Sequence, residues 1–206
     1  MTGFFIVFEG GDGSGKSTQI ARLTDSLRAA GHSVVGTREP GGTPIAEKIR
    51  DVVLDPENAE LCDRAEALLF AASRAEHVHH VVRPALARGE VVLSDRYMDS
   101  SIIYQGLGRG LGADEVRNLN LWATESLRPD LTIVLDVPAE FGLERVGAPD
   151  RIEAAPREMH GRIRDYYVQM AESDPAHYFL INARQPIDVI AGAVLARVNE
   201  AMAARA

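Results

Sequence analysis

A glycine-rich loop near the start of the chain carries the clearest chemical signal. Residues 10–17 read Gly-Gly-Asp-Gly-Ser-Gly-Lys-Ser and satisfy the pattern G-x-x-x-x-G-K-[ST], between an apolar strand pattern and a helical one. Glycines let the backbone curl until several N–H groups point at one anion, and a helix N-terminus adds a favourable dipole. In such loops the lysine, here Lys16, reaches the β- and γ-phosphates, and the hydroxyl of Ser17 binds Mg²⁺.

This loop predicts a site for a purine nucleoside triphosphate with Mg²⁺. The nucleotide-binding residues that it predicts are Gly10, Gly11, Asp12, Gly13, Ser14, Gly15, Lys16, Ser17 and Thr18. A plain glycine-rich turn is the structural alternative. The motif alone indicates a triphosphatase or a kinase without deciding between them.

A carboxylate and a guanidinium follow a second apolar run. Residues 90–95 read Glu-Val-Val-Leu-Ser-Asp, which is typical of a buried strand that ends in Asp95, and Arg96 comes next. A carboxylate at the end of a neighbouring strand is suited to hold Mg²⁺, directly or through water. A guanidinium beside it can grip a phosphate with two hydrogen bonds. Such pairs also occur as structural ion pairs, but the glycine loop favours the functional interpretation.

Two further segments offer groups that suit a nucleotide. Arg38 follows another strand pattern and precedes a Pro-Gly-Gly turn and a helix start of the Thr-Pro type, which puts Arg38 at the rim of the sheet. Phe70 and Arg74 are four residues apart and share one face of a helix. There an aromatic ring can stack on a base and a guanidinium can bond its edge. The alternatives are an incidental arginine at position 38, a core phenylalanine and a surface arginine.

Short apolar runs alternate with longer amphipathic segments along the chain. The runs predict strands at residues 4–9, 33–37, 90–95, 131–136 and 178–181. The amphipathic segments predict helices at about residues 16–30, 44–54, 64–88, 113–126, 156–172 and 187–204. This alternation predicts an α/β fold with a doubly wound, parallel five-stranded sheet flanked by helices. Ligands of such sheets bind beyond the carboxyl ends of the strands.

One stretch, residues 146–156, interrupts the alternation. It is rich in glycine, proline and charge, follows Arg145 and contains Arg151. A flap that closes over a site is one interpretation, because phosphoryl transfer must exclude water. A solvated connector is the other. We expect residues 1–206 to form one domain with this short lid.

The composition limits the class of protein. The chain has 206 residues, 46% of them hydrophobic, and a net charge of −8, so the cationic surface that nucleic acids require is not expected. No run of about 18 apolar residues could span a bilayer, and the first apolar stretch does not fit a signal peptide. The single cysteine, Cys62, fits a reducing cytoplasm. An acidic protein that binds an anion must gather its arginines around it.

Together these segments resemble the thymidylate kinase family over nearly the whole chain. The resemblance is carried by residues 8–19, 38–43, 69–72, 74, 83–86, 95–97, 100–101, 104–106, 108–110, 129–132 and 150–153. The succession Arg-Glu-Pro-Gly-Gly, Asp-Arg-Tyr and Tyr-Gln-Gly is much more selective than the glycine loop alone. The resemblance implies a fold of the P-loop NTPase type, phosphoryl transfer from ATP to dTMP with Mg²⁺, and a homodimer that pairs through helices.

The resemblance also implies a role for individual residues. In the dTMP site, Phe70 would stack on thymine, Arg74 would bond its exocyclic oxygen, Ser101 would touch the base, Asp12 would meet the 3′-hydroxyl, Tyr104 would exclude a 2′-hydroxyl, and Arg38 and Arg96 would hold the acceptor phosphate. Asp95 would organise Mg²⁺ with Ser17. The implied catalytic residues are Lys16, Asp95, Arg96 and Arg151.

The resemblance leaves two sources for the catalytic cation, an arginine of the phosphate loop or arginines of the lid. Gly13 stands where the first kind has its arginine, so the lid is expected to supply it. Arg151 is the first candidate and Arg145 the second. The sequence departs from the family here, because the lid is short and Ala155 stands where an acidic residue is common.

Other features are interpreted as structural. His77, His79 and His80 are interpreted as a solvated helix face rather than a metal site, because only His77 and His80 share a face. Cys62 is expected to be a buried or half-buried apolar residue, and Trp122 a core or dimer-contact residue. The rival functions are a kinase for dCMP, UMP or a deoxynucleoside, and a nucleotide-dependent switch. A second base pocket argues against the switch.

Overall fold

One parallel sheet forms the centre of the molecule. In the computed structural model, which describes residues 3–143, 150–152 and 157–205, its strands are β1 (Phe4–Glu9), β2 (Val34–Arg38), β3 (Val91–Asp95), β4 (Leu131–Asp136) and β5 (Tyr178–Asn182). They lie in the order β2-β3-β1-β4-β5, and every neighbouring pair runs parallel. The predicted doubly wound sheet is confirmed, and each of these strands lies within one residue of its predicted bounds.

Helices connect the strands and cover both faces of the sheet. Their bounds are α1 (Lys16–Ala29), α2 (Pro44–Leu54), α3 (Asp63–His77), α4 (Arg83–Ala87), α5 (Met98–Ser101), α6 (Ala113–Ala123), α7 (Ala139–Leu143), α8 (Arg157–Ser173) and α9 (Ile187–Arg205). Thr43 caps α2 through a hydrogen bond that its Oγ1 accepts from the N–H of Ala46 at 3.0 Å, with Pro44 in the first position. None of the helices in the described ranges is long and apolar enough to cross a membrane.

Strand β1 lies in the middle of the sheet and is buried along its whole length. Ile6 and Phe8 pack on one face with residues of α1 and α9, whereas Phe5 and Val7 pack on the other face with the chain around α4. A parallel strand that is covered on both faces requires a continuous apolar run, and this requirement made β1 predictable. The burial of β1 fixes the start of the glycine loop, which follows it directly.

The carboxyl ends of β1, β2 and β3 meet at one edge of the sheet. In the strand register, Asp95 of β3 lies beside Phe8 of β1 and beside Arg38 of β2. The glycine loop, Asp95 and the turn after Arg38 therefore leave the sheet at the same level. This is the edge at which ligands of doubly wound sheets bind.

The chain departs from the predicted helices in two places. The helix predicted over residues 64–88 widens at Val78–Val82 into a π-helical turn between α3 and α4. After β3 the chain forms a helical segment that the sequence did not predict. It consists of α5 and a second π-helical stretch at Ile102–Gly108. Wide π turns lack the 3.6-residue period by which a helix is recognised in a sequence.

Two side chains lie in surroundings that differ from the predicted ones. Cys62 is exposed, since it precedes the first turn of α3, so the prediction of a buried or half-buried cysteine is wrong. Trp122 of α6 is 81% exposed. A core position is therefore excluded for Trp122, and the dimer contact stays a prediction.

Candidate active site

The glycine loop turns sharply between β1 and α1. Gly13 and Gly15 adopt φ values of 69° and 94°, a left-handed conformation that residues with a Cβ atom rarely adopt. The first N–H groups of α1, which follows Gly15, have no partner within the helix and are available to an anion. A Cβ atom at Gly13 would collide with the backbone oxygen of Gly142 in α7. An arginine at position 13 would therefore not fit this loop.

Lys16 is buried against the loop, with 8% of the residue exposed. Its Nζ donates to the backbone oxygens of Gly10 and Gly11 at 3.1 and 3.0 Å. Burial lowers the pKa of Lys16, and the positive charge of Arg96 lowers it further, while nearby carboxylates oppose the shift. A phosphate that approaches a buried ammonium group near a second cation strongly stabilises its positive charge. The contact of Lys16 with the β- and γ-phosphates stays a prediction.

Ser17 and Asp95 face each other between the start of α1 and the end of β3. Oγ of Ser17 lies 3.4 Å from Oδ2 of Asp95. Hydroxyl and carboxylate oxygens suit Mg²⁺, which usually takes one or two protein ligands and completes its shell with phosphates and water. The described part of the chain contains no cluster of three or more His, Cys, Asp or Glu side chains suited to a metal ion. The pair fits a magnesium ion that arrives with a nucleotide.

Arg96 has an unusual backbone conformation. Its φ of 69° lies in the left-handed region, where a residue with a side chain is strained. Two hydrogen bonds impose this conformation. The N–H of Arg96 donates to the backbone oxygen of Phe8 at 2.9 Å, and the N–H of Tyr97 donates to the carboxylate of Glu9 at 2.9 Å. Such strain occurs where a structure must aim a functional side chain.

The guanidinium of Arg96 connects the glycine loop with α5. It donates to Asp12 of the loop and to Oγ of Ser100 at 3.1 Å, and its Cζ lies 5.4 Å from the ring centroid of Tyr104. The hydroxyl of Tyr104 donates to Oδ2 of Asp12 at 3.3 Å. Burial alone would raise the pKa of Asp12, but the charges of Arg96 and Lys16 outweigh it and hold this pKa below its ordinary value. Asp12 is therefore ionised.

Glu9, the last residue of β1, is a fully buried carboxylate next to Arg96. It accepts hydrogen bonds from the N–H groups of Tyr97 and Ser100 at 2.9 and 3.2 Å. It also accepts from the hydroxyl groups of Ser100 at 2.7 Å and Tyr167 at 2.8 Å. A buried carboxylate is tolerated only with such donors around it. Glu9 thus ties β1, α5 and α8 together behind the site.

Arg74 is buried, with only 2% of the residue exposed, so the interpretation as a surface arginine is wrong. Its Nε donates to Glu39 at 2.5 Å, and its Nη2 donates to the backbone oxygen of Tyr97 at 3.0 Å. Its Nη1 donates to Oγ of Ser101 at 3.1 Å and to Asn120. These bonds use four of the five N–H groups of a guanidinium. One N–H of Nη2 is left for a ligand.

His77 holds the carboxylate of Glu39 from the other side. Its Nδ1 lies 2.8 Å from Oε1 of Glu39, and its Nε2 lies 2.7 Å from Oγ1 of Thr37. Since a carboxylate next to a guanidinium only accepts, Nδ1 of His77 carries a proton. The prediction of a solvated face is wrong for His77, which is 0% exposed because it packs on β2, and correct for the exposed His79 and His80.

Phe70 contributes to the core and to the cleft at once. Its half-buried ring packs against a cluster of buried residues that includes Tyr104 and Ile152. The ring also lines the cavity that contains Lys16 and Arg96. One side of Phe70 therefore belongs to the core, and its stacking on a base stays a prediction.

Two arginines add positive charge at the end of β2 and in α2. Nη2 of Arg38 donates to Oε2 of Glu47, and Nη1 of Arg50 donates to the backbone oxygen of Pro40, both at 2.9 Å. Burial lowers the pKa of Arg50, and the charge of Arg38 lowers it further. Two guanidinium groups that repel each other in this way favour an anion between them.

One cavity with a volume of about 450 Å³ joins these groups. The predicted site residues that line it are Asp12, Gly13, Ser14, Gly15, Lys16, Ser17, Thr18, Arg38, Phe70, Arg74, Asp95, Arg96, Ser101 and Tyr104. Gly10 and Gly11 do not line it, and their backbone oxygens accept hydrogen bonds from Lys16. Five basic side chains of an acidic protein therefore line one cleft, which is the kind of local cluster expected from the net charge.

Arg151 does not line this cavity. Its Nε donates to the backbone oxygen of Val53 at 2.8 Å, and its Nη2 forms an ion pair of 2.7 Å with Oε2 of Glu66. Arg145 and most of the predicted lid at residues 146–156 lie outside the described residues. The catalytic role of a lid arginine stays a prediction.

Eight residues that line the cavity are absent from the predicted site, namely Glu39, Pro40, Arg50, Leu54, Ser100, Gln105, Asp150 and Ile152. Glu39 and Gln105 stand inside the selective motifs Arg-Glu-Pro-Gly-Gly and Tyr-Gln-Gly, a signal that could have revealed them. Arg50 lies in the second turn of α2, and no local pattern marks it.

Fold and site together define a class of protein. A glycine loop with a buried lysine, at the carboxyl edge of a parallel sheet, is the phosphate-binding site of P-loop proteins. Here the same cavity is also lined by Arg38, Arg96, Phe70 and Arg74. A P-loop whose cavity extends to further arginines and an aromatic ring is typical of a P-loop nucleotide kinase.

Comparison with known proteins identifies the family. The thymidylate kinase family model matches residues 8–194. The chain is 50% identical over 203 residues to the thymidylate kinase of Desulforudis audaxviator, with 97% of this chain and 91% of that one covered. It is 49% identical over 210 aligned residues to the thymidylate kinase of Clavibacter sepedonicus, with 100% and 99% covered.

A solved structure leads to the same family. The crystal structure of thymidylate kinase from Ehrlichia chaffeensis matches with a TM-score of 0.79 at 30% identity, over 97% of this chain and 99% of that one. The chain belongs to the thymidylate kinase family. The predicted enzyme class, an ATP-dependent nucleoside monophosphate kinase, is confirmed, and the reaction of this family is phosphoryl transfer from ATP to dTMP.

Proposed function

We propose that this chain transfers the γ-phosphoryl group of ATP to dTMP and gives dTDP and ADP. The observation that carries the proposal is the continuity of one cavity from the glycine loop to the pocket of Phe70 and Arg74. The phosphates of ATP would lie on the loop and the base of dTMP against Phe70. The donor and acceptor phosphates would then meet beside Arg96.

The polar groups of the base pocket suit the edge of thymine. One N–H of Arg74 is left for a ligand, and Ser101, whose Oγ accepts from Arg74, keeps its own O–H. Nε2 of Gln105 donates to Glu66 at 2.8 Å, which leaves its Oε1 as an acceptor. Thymine has acceptors at O4 and O2 and a donor at N3, so two donors and one acceptor match it. Cytosine has an amino group and an unprotonated N3, and these do not match.

The acceptor phosphate is itself the nucleophile. One of its oxygens forms a bond to the γ-phosphorus while the bond from that phosphorus to the β–γ bridging oxygen breaks, and ADP leaves with the electron pair. The acceptor is already largely ionised near neutrality, so no general base is required. The task of the protein is to hold two polyanions together, and Lys16, Arg38, Arg50 and Arg96 are suited to it.

Asp12 and Tyr104 are suited to recognise the sugar. An ionised Asp12 accepts a hydrogen bond from the 3′-hydroxyl of dTMP. The ring of Tyr104 is 5% exposed and is fixed by its hydroxyl group on Asp12 and by Arg96 over its face. A 2′-hydroxyl would compete for the space of this fixed ring, which favours a deoxynucleotide.

Mg²⁺ would be held by Ser17 and Asp95 together with phosphate oxygens and water. When bound, the ion neutralises charge on the transferring phosphates. The chain contributes two oxygen ligands 3.4 Å apart, Oγ of Ser17 at the start of α1 and Oδ2 of Asp95 at the end of β3.

A cytoplasmic homodimer is part of the proposal. Trp122 of α6 and Leu68 of α3 are 81% and 57% exposed on two helices that pack against each other. Large exposed apolar side chains on neighbouring helices suit a contact between two copies. Analytical ultracentrifugation tests this, with a dimer expected for the natural chain and a monomer for Trp122→Glu. A monomeric natural chain would refute the dimer.

Release of ADP against a panel of acceptors tests the reaction. The panel is dTMP, dCMP, UMP and thymidine, with a sample that contains no acceptor. We expect dTMP to be the best acceptor and ADP release to be negligible without one. Preference for another acceptor would support the rival kinases, and equal release without an acceptor would support a switch ATPase.

A further inference from the structure

Glu66 is a fully buried carboxylate beside the proposed base pocket. It is 0% exposed and belongs to α3, four residues before Phe70 and eight before Arg74. Residues at this spacing share one face of a helix. Glu66 therefore lies on the face of α3 that forms the pocket, although neither phosphate nor metal binding requires it.

Three side chains from two distant segments of the chain converge on Glu66. Nε2 of Gln105 donates to its Oε1 at 2.8 Å. Arg109 donates from Nε and Nη2 to the two carboxylate oxygens at 3.3 and 3.2 Å, and Nη2 of Arg151 lies 2.7 Å from Oε2. Two guanidinium groups offset the cost of burying this charge and hold the carboxylate in one place.

A fixed carboxylate permits only one orientation of the neighbouring amide. The oxygens of Glu66 only accept hydrogen bonds, so they must meet the NH₂ group of Gln105. If the amide were flipped, Oε1 of Gln105 would face Oε1 of Glu66, and two buried acceptors would lie in contact without a proton between them. The carbonyl of Gln105 is therefore the end that remains for the cavity, which Gln105 lines.

We propose that Glu66 is a positioning residue that sets the base selectivity of the acceptor site through the orientation of the Gln105 amide. The inference rests on the proposed function, since the pocket must hold the acceptor base. In the fixed orientation, Gln105 accepts from the N3–H of thymine. In the flipped orientation, it would donate to the unprotonated N3 of cytosine.

Glu66→Gln tests the proposal. An amide at position 66 presents either a donor or an acceptor to Gln105, so the amide of Gln105 loses its fixed orientation. We expect the ratio of kcat/KM for dTMP to kcat/KM for dCMP to fall about tenfold, which corresponds to ~1.4 kcal/mol of discrimination. KM for ATP should not change. A purely structural role would lower Tm and leave this ratio as it is.

Three further variants make the test specific. Arg109→Met weakens the cluster but keeps the bond between Glu66 and Gln105, so Tm should fall without a change in the ratio. Glu76→Gln makes the same chemical change on α3, where Glu76 pairs with His80 at 3.4 Å. It should change neither Tm nor the ratio of the kcat/KM values. Glu66→Asp keeps the charge and shortens the side chain, so it should also lower the ratio. If Glu66→Gln does not fold, Glu66→Asp serves as the test variant.

The outcomes separate the inference from the proposed function. An unchanged ratio in the Glu66 variants, or an equal fall in Arg109→Met, would overturn the role of Glu66 while the kinase reaction stands. Failure of the natural chain to phosphorylate dTMP would refute the proposed function, and the role of Glu66 with it.

Discussion

The hydroxyl group of Tyr167 gives a direct test of how Arg96 is supported. It donates to Oε2 of Glu9 at 2.8 Å and lies 2.9 Å from Oγ of Ser100, and Tyr167 is only 2% exposed. Tyr167→Phe removes this one oxygen and keeps the ring. Because Glu9 and Ser100 both contact the chain around Arg96, we predict a loss of stability together with a loss of turnover.

The size of the stability loss follows from the contacts. A hydrogen bond to a charged group contributes about 1.5–3 kcal/mol, and Glu9 keeps its bonds to the N–H groups of Tyr97 and Ser100. We therefore expect the free energy of unfolding to fall by about 2 kcal/mol. With an m value of about 2 kcal/mol per M, the urea midpoint should fall by about 1 M.

The matched control is Tyr166→Phe, at the preceding position of α8. Tyr166 is half-buried, and its hydroxyl makes no hydrogen bond with any described residue. Its loss should change the free energy of unfolding by less than about 0.5 kcal/mol. Urea unfolding followed by circular dichroism compares the two variants. If Tyr167→Phe lost no more stability than Tyr166→Phe, our account of the support behind Arg96 would be refuted.

Three more predictions concern other buried groups. Lys16→Ala should lower turnover by at least about 10²–10³-fold in a folded protein, and near-normal ADP release would contradict the role of Lys16. Tyr104→Ala should relax the discrimination against ribonucleotides, measured as relative kcat/KM, and Tyr104→Phe should keep it; an unchanged preference in the alanine variant would remove Tyr104 from this role. Burial, with the charge of Glu9, raises the pKa of Asp99 from 3.8 to about 7. Between these values the folded protein holds a proton that the unfolded chain has released, so the free energy of unfolding falls as pH rises through them. Asp99→Asn, compared with the natural chain by urea unfolding at about pH 5 and about pH 8, should lack this part of the decline; equal declines would contradict the assignment.

The strands were predictable because each is buried on both faces and reads as a continuous apolar run. β1 and β4 have the predicted bounds, and the others shift by one residue. Residues 98–108 were not predictable in the same way. Their π turns and two glycines remove the regular period, although this segment carries Ser101, Tyr104 and Gln105 to the cavity.

The residues of the candidate site also differ in how far the sequence could predict them. The phosphate loop is local in sequence, so its residues could be predicted from one short motif. The environment of Arg74 could not, because its partner Glu39 is 35 residues away and the spacing on α3 is equally typical of a surface charge. The sequence places Arg151 in the predicted lid, whereas its ion pair with Glu66 depends on a contact between distant segments.

Three buried glutamates explain how an acidic chain builds a site for two polyanions. Glu9 supports the backbone and guanidinium of Arg96, Glu39 holds Arg74, and Glu66 holds Gln105. Each carboxylate is buried and accepts hydrogen bonds from the groups around it. Its donors neutralise it, and in return it fixes their orientation. The carboxylates therefore aim the cationic and amide groups instead of repelling the substrates. It follows that removing one of these acids should weaken binding of the proposed acceptor nucleotide, although simple charge counting predicts the opposite.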